Sequence, residues 1–183
     1  MADLSSLNTS LFFTGATCGD SSQLEELERH VFVPSDGLIT KRSFNYHIRR
    51  GKNLVLVAKL SDMSSELVGY SLVLLHRQSA RIYSLAVDPR YQERGIGKGL
   101  AHYTLEKIQA RGYTNIHLEL RQENSRALKL YESLGFVSYR IRHNYYGPAQ
   151  DAVLMTWRKN TTRLKTRLPS RERVALTELK LNA

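Results

Sequence analysis

The chain has 183 residues, is 42% hydrophobic and 24% charged, and carries a net charge of +10 at pH 7. This is ordinary globular usage, and the length suffices for one domain with a substantial core. One cysteine, Cys18, excludes an internal disulfide framework, as expected in a reducing compartment. No apolar run reaches membrane-spanning length, and no basic residue precedes the first short apolar patch. We therefore predict neither a membrane span nor a signal peptide, and expect a soluble cytoplasmic protein.

The positive charge is concentrated near the C-terminus. Residues 159–183 contain seven Lys or Arg and two Glu, a net of +5, which is half of the total. We interpret residues 1–158 as the folded domain and residues 159–183 as a basic C-terminal extension. The extension is expected to be solvated, with packing of its apolar residues or RNA binding as alternatives. For the rest of the chain no nucleic-acid partner is predicted, and its +5 suits a protein that holds a strongly anionic ligand.

The first half of the chain predicts three strands and two helices. Ser22-Gln23-Leu24-Glu25 has the spacing of a capping box and is expected to open the first helix. Thr40 is expected to cap a second helix that runs to Arg49, with Phe44 and Ile48 turned inward. The runs rich in β-formers are Leu11 to Phe13, Asn53 to Leu60 and Leu67 to Leu75.

The second half alternates strands with helices. A strand from Arg81 to Val87 leads through a glycine-rich turn into a helix from Gly97 to Arg111. A strand, a helix and a final strand pair follow, at Thr114 to Leu120, Ser125 to Leu134, Phe136 to Tyr145 and Ala152 to Arg158. The resulting order, β-α-α-β-β-β-α-β-α-β-β, predicts an α/β fold in which helices cover both faces of a mixed central β-sheet.

The turn from Tyr91 to Leu100 reads Tyr-Gln-Glu-Arg-Gly-Ile-Gly-Lys-Gly-Leu. A glycine-rich turn that leads into a helix presents unpaired backbone N–H groups at the positive end of the helix dipole. Glycine also lets a ligand approach the backbone without meeting a Cβ atom. The turn therefore predicts a site for a pyrophosphate held by the main chain.

Two well-known phosphate loops fit this turn poorly. A Walker loop is excluded, because Gln92 stands where its first Gly is needed and Gly99 where Ser or Thr is needed. A Rossmann turn needs a third Gly where this chain has Leu100. Glu119 nevertheless lies where a ribose-binding acid would be expected, so the Rossmann interpretation stays open as a weaker alternative.

A third pattern, Q/R-x-x-G-x-G/A after a strand that ends in V-D-P, is met at every defined position by Gln92 to Gly97. This loop resembles the acetyl-coenzyme A (acetyl-CoA) loop of the GNAT superfamily of N-acetyltransferases, which implies the GNAT fold and acetyl-CoA as co-substrate. The resemblance runs from about Val68 to Trp157. Three further stretches make the chain similar in particular to bacterial ribosomal-protein N-terminal alanine acetyltransferases: His117 to Arg121, Asn124 to Phe136, and Asn144-Tyr145-Tyr146.

The resemblance implies two catalytic side chains. Glu119, on the strand face opposite Leu118 and Leu120, would be the general base for the amine, because a partly desolvated carboxylate can accept a proton. The alternative is a surface carboxylate paired with Arg121. Tyr131 would be the general acid for the departing thiolate, since a phenol stays protonated at neutral pH. The alternative for Tyr131 is a core residue of an amphipathic helix.

Cofactor contacts follow from the same resemblance. The strand before the loop would pair with the pantetheine arm, and the N–H of Val87 could polarise the thioester carbonyl. Asn124 would contact coenzyme A while also capping its helix. The predicted cofactor-binding residues are Leu85, Ala86, Val87, Glu93, Arg94, Gly95, Ile96, Gly97, Lys98, Gly99 and Asn124.

The acceptor is the least determined part. The resemblance implies that Phe32 to Ser43 and Arg140 to Pro148 form its groove, and it favours a protein N-terminal α-amine. Acetylation of a small-molecule amine or a protein lysine is the alternative, and a non-catalytic or nucleic-acid-binding module is a third. The six histidines lack metal-ligand spacing with Cys18 or acidic residues, so no metal is predicted. The sequence does not indicate the oligomeric state.

Overall fold

The computed structural model describes residues 10–34, 37–61 and 65–158. Within these ranges the order of elements is the predicted one: β1 (Leu11–Gly15), α1 (Ser21–Val31), α2 (Lys41–Arg50), β2 (Leu54–Leu60), β3 (Leu67–Leu75), β4 (Ala80–Val87), α3 (Ile96–Ala110), β5 (Asn115–Arg121), α4 (Ser125–Ser133), β6 (Val137–Gly147) and β7 (Gln150–Arg158). The chain divides into two units, Met1–Tyr113 and Thr114–Ala183. In the described part of the chain, no helix has the length and apolar character that a membrane crossing needs.

In the first unit, β1, β2, β3 and β4 are neighbours in that order, and each pairing is antiparallel. Two groups of buried side chains flank this sheet. One group packs with α1 and α2 and includes Val55 and Val57 of β2. The other lies around the start of α3 and includes Ala58 and Leu60 of β2. Because neighbouring strand residues point to opposite faces, helices cover both faces of this sheet.

A buried polar network crosses the first of these groups. The Glu28 carboxylate of α1 accepts hydrogen bonds from the N–H of Ile39, at 3.1 Å, and from the Tyr70 hydroxyl of β3. The Tyr70 and Ser84 hydroxyls lie 2.7 Å apart. Burial and the neighbouring Glu28 carboxylate raise the pKa of Tyr70 well above its ordinary value. The network thus ties the segment that leads into α2 to the sheet.

In the second unit, β5 pairs with β7 and β7 pairs with β6, both antiparallel. Ile116, Leu118 and Leu120 of β5 are buried, whereas the intervening residues are half-buried. This alternation confirms the predicted facing of the strand. Glu119 therefore lies on the face opposite the leucines.

One predicted helix start is wrong and one is confirmed. The capping box lies at Thr17 and Asp20, where the Asp20 carboxylate accepts from Thr17 N–H at 2.7 Å and from its hydroxyl at 2.9 Å, rather than at Ser22 to Glu25. A short 3₁₀ turn over Cys18–Asp20 then leads into α1, whose N-cap is Asp20. Thr40 caps α2 as predicted, through a 3.3 Å hydrogen bond from Ser43 N–H.

The predicted basic extension, residues 159–183, lies outside the described residues. The proposed boundary at residue 158 therefore stays a prediction. It coincides with the last residue of β7.

Candidate active site

The V-D-P end of β4 is a tightly bonded turn. Asp88 is buried and caps the 3₁₀ turn Pro89–Tyr91, accepting hydrogen bonds from Arg90 N–H at 2.9 Å and from Arg90 Nη2 at 2.8 Å. The Arg90 guanidinium also reaches Glu66 of the segment before β3, at 2.8 Å. The hydrogen bond from Arg90 lowers the pKa of Asp88 below its usual range. The turn therefore fixes where the glycine-rich loop begins.

Gln92, the first residue of the loop pattern, has a structural contact that sequence reasoning missed. Its side-chain amide donates a hydrogen bond to the backbone carbonyl of Val87 at 3.1 Å. Glu93 then adopts a left-handed backbone conformation (φ 63°), and Gly95 does the same (φ 79°). A non-glycine residue in this region is uncommon and carries local strain. These two positions turn the chain from β4 into α3.

The first turn of α3 has the features of an anion site. Gly95 is its N-cap and provides no side-chain cap, and the backbone N–H of Gly99 bonds to the carbonyl of Gly95 at 2.9 Å. The N–H groups of Ile96, Gly97 and Lys98 precede that bond and therefore have no partner within the helix. They lie at the positive end of a 15-residue helix.

The glycines of this turn have different surroundings. A Cβ atom added at Gly97 would meet only Val87 Cγ2, at an ordinary 3.6 Å, so the fold itself leaves space there. A Cβ atom at Gly99 would lie 2.7 Å from Cζ of Phe13 in β1, which is too close. The absence of a side chain at Gly99 thus lets α3 approach Phe13 of β1 closely, a reason that its place in the loop pattern does not reveal.

The charged side chains of the loop are exposed. The Arg94 guanidinium lies 5.5 Å from the ring centroid of Tyr91, and that of Arg90 lies 5.4 Å from the same ring. Lys98 is exposed on the first turn of α3. Arg90 is already bonded to Asp88 and Glu66, so Arg94 and Lys98 are the cations of this turn with exposed charge, while the main chain provides the directed hydrogen-bond donors.

In the second unit, Glu119 lies at the centre of β5 and is half-buried, opposite Leu154 of β7 in the strand register. Arg121, two residues further on the same face, donates a 2.7 Å hydrogen bond to Gln150 and lies 4.5 Å from the ring centroid of Tyr146. Its distance to Glu123 is 3.9 Å. Arg121 thus takes part in the hairpin end of this sheet.

Tyr131 lies in the last turns of α4 and is only 6% exposed. Its ring meets Phe136 edge to face, with centroids 5.3 Å apart. Burial raises the pKa of the phenol well above its ordinary value, so the group stays protonated throughout the neutral range. Among the residues that the structure describes, none accepts or donates a hydrogen bond to this hydroxyl.

Asn124 caps α4 as predicted. Its side-chain oxygen accepts the backbone N–H of Ala127 at 3.0 Å, and the residue is exposed. Asn124 and Tyr131 therefore lie at the two ends of one short helix, Ser125–Ser133 and its N-cap.

The predicted acceptor segment in the β6–β7 hairpin contains a cluster of aromatic and basic side chains. Tyr145 and Tyr146 meet edge to face at 4.9 Å, and Arg142 lies 5.1 Å from the centroid of Tyr145. Asn144 has φ 53°, and its side-chain oxygen accepts Ala149 N–H at 2.7 Å. Asp151 accepts Asn144 N–H at 2.9 Å, which lowers the pKa of this carboxyl. Contacts among its own residues thus stabilise the end of the hairpin.

The predicted site residues therefore fall into two groups, one in each unit. The first unit brings together β4, with Leu85, Ala86 and Val87, and the turn Glu93 to Gly99. The second carries Glu119, Asn124 and Tyr131. The first group offers main-chain donors for a phosphate, and the second offers a carboxylate and a protonated phenol.

The chain belongs to the acetyltransferase (GNAT) family, whose model matches residues 22–136. The match includes the loop, Glu119, Asn124 and Tyr131. The predicted class, an N-acetyltransferase that uses acetyl-CoA, is confirmed by this membership.

Among curated proteins, the chain is 34% identical over 133 residues to the [ribosomal protein bS18]-alanine N-acetyltransferase of Salmonella typhimurium, covering 71% of this chain and 84% of that enzyme. The crystal structure of the ribosomal-protein-S18-alanine N-acetyltransferase from Escherichia coli superposes with a TM-score of 0.71 at 23% identity, over 87% of this chain and all of that chain. A structure of the NatC complex bound to Gag peptide and CoA gives 0.71 at 22% identity, over 82% and 99%. The predicted GNAT fold, a mixed α/β fold, is thereby confirmed.

Proposed function

We propose that this chain is a protein N-terminal α-amine acetyltransferase, which moves an acetyl group directly from acetyl-CoA to the amine. The observation that carries the acceptor class is the similarity to the Salmonella typhimurium enzyme, which acts on an alanine of a ribosomal protein and of which 84% is covered. The Asn144-Tyr145-Tyr146 segment supports the same class. A cytoplasmic location, favoured by the single cysteine, is part of the proposal.

The first unit would bind the cofactor. The N–H groups of Ile96, Gly97 and Lys98, which have no partner within α3, would hold the pyrophosphate, and the space beside Gly97 would admit it. Leu85, Ala86 and Val87 of β4 would hold the pantetheine arm through backbone groups. The turn would take its shape from Glu93, Gly95 and Gly99 and a positive charge from Arg94. Asn124 of the second unit would add a side-chain contact to coenzyme A.

The second unit would carry out the two proton transfers of the acetylation reaction. The amine nitrogen attacks the thioester carbonyl carbon, the C–S bond breaks, and the acetyl group becomes an amide. Glu119 would accept the proton that the nitrogen loses, and Tyr131 would give a proton to the departing thiolate. Burial keeps the Tyr131 phenol protonated at neutral pH, so a proton is available for the thiolate.

The acceptor class is tested by turnover with acetyl-CoA. The acceptors are a peptide with a free N-terminal alanine, the same peptide with a blocked N-terminus and one internal lysine, and a polyamine. Preference for the free N-terminus supports the proposal. Preference for the blocked lysine peptide or for the polyamine would identify one of the alternative acceptors.

The Glu119→Gln variant sharpens this test. It keeps the side-chain size but cannot take up a proton, so turnover should fall by about 10²-fold at pH 7. An α-amine should regain rate over about pH 7–9 as it loses its own proton, whereas a lysine should need about pH 10. Glu123→Gln, an exposed carboxylate just after the same strand, is the matched control. A Glu119→Gln enzyme with normal rates at every pH would remove Glu119 from the mechanism.

A further inference from the structure

One face of α2 forms a basic surface that contains none of the residues assigned above to catalysis or cofactor binding. An open pocket of about 720 Å³ lies along this helix in the first unit. Its lining includes Arg42, Tyr46, Arg49 and Arg50, which we call the basic stripe. All four are exposed, and Tyr46 has 51% of its surface open to solvent.

Helix geometry gathers these residues into one line. Positions 42, 46, 49 and 50 are spaced i, i+4, i+7 and i+8, which places them on one side of a helix. Phe44, on the other side, is fully buried, and Ile48 packs on the same core. With a rise of about 1.5 Å per residue, Arg42 and Arg49 are separated by about 10 Å along the axis. The stripe is therefore long enough to follow an extended chain.

The cations of α2 are available for a ligand. In the described ranges, the side chains of Lys41, Arg42, Arg49 and Arg50 form no ion pair with a carboxylate. Glu25, the acidic residue of the pocket lining, lies 3.5 Å from Arg29 and accepts the backbone N–H of Lys41 at 3.1 Å. The net charge of +10 leaves +5 for residues 1–158, and α2 alone contributes +4 of it.

Local electrostatics do not explain these cations. Arg49 and Arg50 lie at the C-terminal end of α2, where the helix dipole favours positive charge. Lys41 and Arg42 lie in the first turn, where the dipole disfavours it, and α2 has no acidic residue in that turn. Positive residues at this end disfavour the helix, so their presence points to a function other than stabilising α2.

Tyr46 adds a second kind of contact. The Arg50 guanidinium lies 5.0 Å from the centroid of its ring, and the His47 ring meets it edge to face at 5.3 Å. Exposed tyrosine rings and guanidinium planes are the surfaces on which unpaired bases stack. An acidic peptide would use only the charges, whereas a nucleic acid would use the charges and the ring.

We propose that the basic stripe of α2 binds single-stranded nucleic acid, with arginines on the phosphates and a base stacked on Tyr46. Sequence analysis did not predict this partner, because the cations form no single run and only the helix aligns them. Arg42 also falls within Phe32 to Ser43, the segment that the resemblance assigns to the acceptor groove, whereas Tyr46, Arg49 and Arg50 lie beyond that segment. The test therefore changes only these three residues, and the proposal does not depend on the identity of the amine acceptor.

The test uses the full chain and fluorescently labelled RNA and DNA strands of about 12 nucleotides, within the size that one binding surface covers. Affinity is measured by anisotropy over a range of salt concentrations. Removing two phosphate contacts in Arg49→Gln/Arg50→Gln should lower the slope of log affinity against log salt by about 1.4. Tyr46→Ala should weaken binding by about 5- to 150-fold. The RNA and DNA arms show which strand is the ligand.

Arg77→Gln/Lys107→Gln removes the same charge from exposed positions elsewhere in the first unit and is the matched control. Wild-type protein that binds neither strand would overturn the proposal, as would a stripe variant that behaves like this control. Polyglutamate that binds as tightly as RNA, with no effect of Tyr46→Ala, would overturn it in favour of an acidic-peptide surface. Thermal melting of each variant establishes that it is folded.

Discussion

The two units of this acetyltransferase carry their proposed site residues in different ways. In the first, the turn Glu93 to Gly99 presents backbone N–H groups, and its side chains are arranged around them. In the second, Glu119 and Tyr131 present side-chain atoms on a strand and a helix. The first unit should therefore be sensitive to changes in backbone space, and the second to the loss of single functional groups.

The largest expected effect is in the second unit. Tyr131→Phe keeps the ring that packs on Phe136 and removes only the hydroxyl. Turnover should fall by about 10²–10⁴-fold, because a general acid contributes that much. Stopped assays with saturating acetyl-CoA measure this. Phe136→Leu, which disturbs the same packing but leaves the hydroxyl, is the control and should lose stability rather than rate. A Tyr131→Phe enzyme with near-normal turnover would leave this residue only its structural role.

The next effect is in the first unit. Gly97→Val should weaken CoA binding by about 10²-fold, since it blocks the approach of the pyrophosphate to donors worth about 1.5–3 kcal/mol each. Calorimetric titration measures the affinity. Lys98→Ala, which keeps the backbone N–H and removes an exposed charge, should cost only about 0.2–1 kcal/mol. Equal losses in the two variants would contradict binding by the main chain.

A third prediction separates packing from binding within the same loop. Gly99→Ala places a Cβ atom 2.7 Å from Phe13 Cζ, so the unfolding free energy should fall by about 1–3 kcal/mol. Denaturant unfolding without CoA measures this. Gly97→Ala, whose Cβ atom would make an ordinary 3.6 Å contact, is the control and should not be destabilised. A Phe13→Leu/Gly99→Ala double variant should regain stability, and additive losses would mean that the two positions are uncoupled.

The smallest effect concerns Asn124. Asn124→Ala removes the cap on Ala127 N–H and should cost about 1 kcal/mol of stability. Asn124→Asp keeps a capping oxygen, so its stability should match the wild type. If the side-chain amide also contacts CoA, the Asp variant should bind CoA more weakly despite its normal stability. Equal CoA affinity in both proteins would leave Asn124 as a cap alone.

The elements and the loop were predictable because their signals are local. Strand and helix periodicity gave the order of elements, and the boundaries agree within a few residues. The capping box before α1 was placed incorrectly because Thr17 to Asp20 and Ser22 to Glu25 offer the same polar spacing. Which of the two forms the capping box depends on where the chain turns after β1, and residue spacing alone does not predict that turn.

Several structural features depend on contacts that the local sequence pattern did not reveal. Gln92 holds the carbonyl of Val87, and Gly99 accommodates Phe13 of β1. Glu28, for which the sequence analysis made no prediction, joins Ile39 and Tyr70 in a buried network. No pattern within a few residues of these positions predicts their partners.

The sequence by itself determined the fold class, the family and the positions of the loop, Glu119, Asn124 and Tyr131. These depend on periodicity and fixed spacing, which are properties of neighbours along the chain. Only the tertiary structure decided which glycine serves packing, how deeply Tyr131 is buried and which cations of α2 share one surface. The physical reason is that steric exclusion, desolvation and charge clustering depend on distances in space, and those are set when distant segments pack together.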